Sequence, residues 1–267
     1  MSTRAPERPR PAAEIDPRIR ARRLEVQRDQ GRRRLHRIAV LGFVVAGVAG
    51  LWGLTLTPLL DVDHIRIQGA DRTGADPVLA VIDIERGDAL VTADVGGAAA
   101  ALTRLPWIAT AEVRRSWPGT VTVTVVEREP VAAVRAAGGG WVVVDRSGRQ
   151  LAVEREPALE LVRIAGRPIT VALGDAVGAR FQGSVELAAV APPSLRPVLR
   201  ALWPQRDGSM EATVVLPTGS EAVVRFGSPT QLEAKLLALA AVLERADLGG
   251  VRLIDLRVPG VPALTRG

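Results

Sequence analysis

The chain has 267 residues, a formal net charge of +6, 47% hydrophobic side chains, no cysteine and two histidines, His36 and His64. That composition excludes disulfides, thiolate metal sites and a cysteine nucleophile. The charge sits at one end: residues 1–37 hold twelve arginines against five acids, and the remainder sums to −1. A nearly neutral body with a basic tail argues against a nucleic-acid-binding domain, which carries its own basic face. Arginine outnumbers lysine 34 to 1, with Lys235 alone, a bias that reads as GC-rich codon usage. With 3% aromatics, the core must be built from Val, Leu and Ala.

Residues 1–37 are rich in Pro, Arg and Ala without an apolar stripe, and read as a disordered basic tail. Residues 38–60 (IAVLGFVVAGVAGLWGLTLTPLL) contain no charge. As a helix they reach roughly 34 Å, enough to cross a hydrocarbon core of about 30 Å. Arg32, Arg33, Arg34 and Arg37 precede this run, and Asp61 and Asp63 follow it. The positive-inside rule therefore orients a single signal anchor with the N-terminus in the cytoplasm and the rest outside. A cleavable signal peptide fits less well, because the charged lead and apolar run are both long and the exit lacks a small-x-small site.

Residues 61–130 predict a βααββ module. Val62–Gly69 reads as a strand with Ile65 and Ile67 on one face, Pro77–Ile84 as a short helix, and Thr92 as the cap of a second helix ending at Leu105 before Pro106. Ile108–Ser116 and Thr120–Glu129 form a hairpin across Trp117-Pro118-Gly119, with Val121, Val123 and Val125 inward and Thr122 and Thr124 outward.

Residues 131–259 read as a β domain with an antiparallel sheet, and residues 260–267 as a short C-terminal tail. Trp141–Asp145 and Gln150–Val153 are strands, Leu195–Leu202 a short helix, and Met210–Leu216 with Glu221–Phe226 a hairpin. Ser228-Pro229-Thr230-Gln231 reads as a capping box opening a helix over 229–246, whose Leu232, Leu236, Leu239, Ala240 and Leu243 form one stripe. Val251–Val258 closes the domain as a last strand. Ile254 and Leu256 are expected to face the helix, and Asp255 and Arg257 to face away from it. The fold class is α+β: a transmembrane helix, the βααββ module, and a β-rich domain ending in a helix–strand unit.

This order resembles the FtsQ/DivIB family of bacterial cell-division proteins. The resemblance is carried by LTRLPWIATAEVRRSWPGTVTVTVVEREPVA (102–132), the WVVVD strand, FGSPTQLEAKL (226–236) and IDLRVPG (254–260). It implies a POTRA domain and a β domain in a single-pass plasma-membrane protein of the division septum. It also implies a scaffold that bridges early division components to FtsL- and FtsB-like bitopic proteins and thereby to septal peptidoglycan synthesis. Partner candidates are Val251, Leu253, Asp255, Leu256, Arg257 and Val258 on the last strand, against the plain reading of that segment as the last core strand. In the POTRA module they are Ile65, Ile67, Arg114 and Trp117, of which Trp117 reads equally as a turn anchor. The chain has no tyrosine, and Val258 stands where some relatives have an aromatic.

Catalysis finds little support in the residues. His64 is the only extracytoplasmic histidine, no GxSxG elbow exists, and Lys235 lies on an amphipathic helix. The pairs Glu127/Glu129 and Glu154/Glu156 share strand faces but are flanked by Arg128 and Arg155, which reads as solvated edges. No cofactor, metal, small-molecule substrate or nucleic acid is expected. Two other readings are a POTRA protein that binds export substrates and a membrane-anchored wall hydrolase.

Overall fold

The computed structural model describes residues 36–50, 53 and 60–267. Residues 36–50 form a helix, α1, with exposed apolar side chains such as Phe43 and Val48. Among the described residues no helix is long and apolar enough to cross a membrane. The expected tail over 1–37, the second half of the expected anchor over 38–60, and Arg32, Arg33 and Arg34 lie largely outside the described residues. Arg37 lies on α1, exposed.

The body, Val62–Gly267, forms one compact unit with two sheets. The first is three-stranded, in the order β1-β3-β2. It comprises β1 (His64–Gln68), β2 (Ile108–Ser116) and β3 (Thr120–Glu127), with α2 (Ala75–Val81) and α3 (Val95–Leu102) between β1 and β2. The β2–β3 hairpin is antiparallel, while β1 pairs parallel to β3. Val121, Val123 and Val125 are buried with Val78, Leu90 and Leu102, as strand alternation predicts. Gly69 adopts φ +80, and a Cβ there would collide with the Val125 carbonyl oxygen. Both helices differ from expectation. α2 starts at Ala75, so that Pro77 falls in its first turn, where its missing N–H costs nothing. α3 is capped by Asp94, which accepts from the Gly97 N–H at 2.9 Å, whereas Thr92 donates to the Ala89 carbonyl in a preceding turn.

The second sheet has nine strands in the order β12-β11-β10-β9-β8-β7-β4-β5-β6. They are β4 (Pro130–Ala136), β5 (Trp141–Asp145), β6 (Gln150–Glu154), β7 (Val162–Ile169), β8 (Leu199–Pro204), β9 (Met210–Val215), β10 (Glu221–Gly227), β11 (Val251–Asp255) and β12 (Ala263–Arg266). Two helices, α4 (Gln182–Val190) and α5 (Leu232–Arg245), bury their apolar faces in the main core with Val185, Leu187, Leu236 and Leu239.

Four expectations for this domain need correction. The sheet is mixed: β4·β7, β7·β8 and β10·β11 are parallel, because α4 crosses between β7 and β8, α5 crosses between β10 and β11, and the excursion through β5 and β6 returns the chain to the far side of β4. Leu199–Leu202 belongs to strand β8 and not to a helix; pairing to β9 and the burial of Leu199 and Leu202 override helical propensity, and Pro197 stands just before. The capping box does not form, since α5 begins at Leu232 after Gln231 in the left-handed region (φ 54) with no side-chain cap. The expected C-terminal tail contains strand β12, which pairs antiparallel to β11, so Val251–Val258 is not the last strand.

Candidate partner interface

A sheet offers a partner its unpaired edges and its uncovered face. β11 offers no edge, because β10 occupies one side and β12 the other. The ends of the nine-stranded sheet are β6 and β12. β6 is partly closed by residues 172–177: the Gln150 N–H donates to the Asp175 carbonyl and the Gly174 N–H to the Gln150 carbonyl, each at 2.8 Å. The Gln150 side chain also accepts from the Ala172 N–H at 2.8 Å. The outer edge of β12 has no neighbouring strand among the described residues. β12 is held from within by Leu264 on the main core and by Arg266, which donates to the Asp247 carbonyl at 2.9 Å.

The residues singled out on the last expected strand divide by depth. Val251 and Leu256 are buried in the core, Leu253 and Asp255 are half-buried, and Arg257 and Val258 are exposed, Val258 at 63%. The burial of Val251 departs from simple alternation because the pairing to β12 shifts register between Val251 and Leu253. Asp255 and Arg257 engage each other: Arg257 donates to the carboxylate through its backbone N–H, Nε and Nη2, the last at 2.7 Å. These bonds hold the Asp255 carboxyl below the usual aspartate range, helped by Arg225 on the neighbouring strand. Arg225 in turn meets Glu211 at 3.1 Å. The register places Trp203, Glu211, Arg225, Asp255 and Ala263 in one row across five strands. The row below it, Ala201, Thr213, Val223, Leu253 and Thr265, is more apolar. Neither this row nor β12 was recognised from the sequence; the short alternation in Ala263–Arg266 was the only signal for the strand.

In the first module, Ile65 and Ile67 pair with the buried Val121 and Val123 and pack against the helix-covered core. Arg114 pairs with Thr122 on the opposite face and meets Glu112, and Trp117 is 56% exposed at the hairpin turn. The structure therefore separates these four residues into an inner pair and an outer pair.

The two modules are fastened at one seam. Trp107 packs against Val143, Leu151 and Leu161, with Arg72 stacked 5.3 Å from its ring centroid. Arg128 donates to the Ile108 carbonyl at 3.1 Å and to Asp145 at 2.7 Å. Asp145 also accepts from the Ser147 hydroxyl and from the N–H groups of Ser147 and Arg149. Burial pushes this carboxyl up, but those hydrogen bonds outweigh it and leave the pKa lowered. Glu127 behaves alike: desolvation is outweighed by hydrogen bonds from Thr73 and Arg72. It thus serves as an anchor for the 72–73 turn. Glu156 contacts Arg163 at 3.3 Å, and His64 is exposed. Among the described residues no three His, Asp or Glu side chains cluster as metal ligands.

Comparison with known proteins matches residues 60–128 to the family described as POTRA domain, FtsQ-type. A cell division protein FtsQ from Corynebacterium glutamicum is 36% identical over 119 residues, 44% of this chain and 53% of that protein; the match spans about half the length of that relative. Cell division protein FtsQ from Anaeromyxobacter sp. strain K is 30% identical over 251 residues, covering 86% of this chain and 81% of that protein. Its counterpart from Streptomyces collinus is 30% identical over 247 residues, covering 87% and 89%.

Proposed function

Because the chain belongs to the FtsQ family of bacterial cell-division proteins, we propose that it is a non-catalytic scaffold of the division septum that recruits small bitopic proteins of the FtsL and FtsB type by strand addition. The observation that carries this reading is the open outer edge of β12 at the end of a nine-stranded sheet whose other end is partly closed. An added strand takes most of its affinity from backbone hydrogen bonds and its specificity from alternate side chains. Val258, exposed beyond β11, and the row running from Trp203 to Ala263 flank that edge and supply such contacts. In this reading residues 38–60 cross the plasma membrane once, with Arg32, Arg33, Arg34 and Arg37 on the cytoplasmic side. The tail over 1–37 then reaches early division components, and the body stands outside the cytoplasm. The outward residues Arg114 and Trp117 are a second recruitment surface.

The test is co-purification of the FtsL–FtsB-type pair with the full chain and with a chain ending after Gly260. Capture by the full chain, with loss of at least tenfold on truncation while the β domain still melts cooperatively, supports the assignment. Equal capture by a folded truncated chain refutes it.

A further inference from the structure

We infer that the cleft between β7, β8 and residues 157–161 is a binding site for a phosphate group, as a monoester or a diester. This site lies away from the β12 edge and does not depend on the scaffold role. The cleft has a volume of about 100 Å³ and is lined by Arg163, Arg196 and Arg200 over Leu161 and Leu199. A water needs about 10–15 Å³ on the same measure, so the cleft has room for a tetrahedral oxyanion and accompanying water.

The protein's own acids leave part of this positive charge unused. Among the described residues Arg196 makes no salt bridge, and its Nε is tied to the Ala191 carbonyl at 3.0 Å. Arg200 comes only within 3.9 Å of Glu221, with both side chains more than half exposed. Arg163 meets Glu156 at 3.3 Å, and that carboxylate is 70% exposed at the rim. With Glu156 beside Arg163 and Glu221 within 3.9 Å of Arg200, Arg196 is the guanidinium of the cleft left without a carboxylate partner among the described residues.

Two of the three guanidiniums are already oriented. Arg196 is held by its bond to Ala191, and Arg163 lies 5.6 Å from the centroid of Trp141, whose ring also carries Arg135 at 5.2 Å. Orientation before binding reduces the ordering cost, and the planar fork of arginine matches phosphate oxygens two at a time. The floor is apolar, with Leu199 3% and Leu161 8% exposed. It lowers the local dielectric and strengthens each contact.

The experiment titrates the full chain, in zwitterionic detergent micelles, with inorganic phosphate and separately with dimethyl phosphate, read by calorimetry. The arginines of the tail are common to every variant, so the cleft's share is the difference between variants. The expected result is saturable binding that weakens by about tenfold in R200Q and in R196Q, the loss of one charge-assisted contact. In E156Q binding strengthens several-fold as the competing carboxylate is removed. Binding of inorganic phosphate alone assigns the site to a free phosphate or monoester, and binding of both probes assigns it to a diester. Arg200 is exposed and makes no short contact, so R200Q keeps the fold. Unchanged binding in R200Q, or no saturable binding of either probe, overturns the inference.

Discussion

The Asp145 carboxylate, 3% exposed, accepts from Arg128, the Ser147 N–H and hydroxyl, and the Arg149 N–H. It thereby connects the last residues of the first module to the β5–β6 turn. Arg128→Ala removes the cation and leaves that carboxylate short of one donor. The expected loss is about 1.5–3 kcal/mol, the range for a hydrogen bond to a charged group, read as a lower urea midpoint. The same residue sets an acid limit. Asp145, Glu127 and Asp255 all have folded pKa values below their ordinary ones. Each therefore contributes stability that is fully present above the unfolded carboxyl value, about 4, and is lost as pH falls through the lowered folded value. Urea unfolding should show stability level between about pH 7 and 5 and falling below about 4, with a shallower fall in Asp145→Asn; an unchanged slope in that variant assigns the acid limit elsewhere. Lys235 is the exception to a cation set that is otherwise all arginine. It is 1% exposed on α5, and its Nζ donates to the Ser228 carbonyl at 2.8 Å. Burial lowers its pKa. Lys235→Arg forces a wider head into this space and should cost about 1–3 kcal/mol despite keeping the charge, the usual cost of overpacking.

At the scale of elements, the entry to α5 gives a discriminating pair of substitutions. A working N-cap at Ser228 would make Ser228→Ala cost about 1 kcal/mol. The observed entry through a left-handed Gln231 predicts almost no cost there, and predicts that Gln231→Gly stabilises by about 1 kcal/mol by relieving the backbone. Thermal unfolding of the two variants separates the alternatives. The same helix illustrates which parts of the fold were legible. The stripe from Leu232 to Leu239 identified it, but four turn-forming residues in a row fit either a cap or a bend, and only the packing of Lys235 onto Ser228 decides between them. β2 and β3 were legible because alternation and the Trp117-Pro118-Gly119 turn agree. β7 was hidden by Gly166 and Pro168 within its span, and α4 by Gly183 in its first turn. Both take their identity from neighbours distant in sequence: β7 pairs with β4 and β8, and α4 crosses between β7 and β8. β12, four residues long, is too short for periodicity to register. It changes the candidate site most, because it moves the open edge from β11 to itself.

For the whole molecule, the seam at Trp107, Arg128 and Asp145 presents a POTRA module and a β domain as one compact body. The arrangement has exposed faces and, among the described residues, an open edge at β12 in the nine-stranded sheet, and the buried Asp145 carboxylate serves to fasten the modules together. That distribution suits a protein that works by contact, in keeping with its membership of the FtsQ family. The central claim, a scaffold acting at the division septum, is tested most directly by imaging a fluorescent fusion of the full chain that supports growth in place of the native copy. The account predicts enrichment at midcell in constricting cells, and filamentation when the fusion is depleted. A functional fusion spread evenly around the envelope, with division unaffected by its loss, would contradict it.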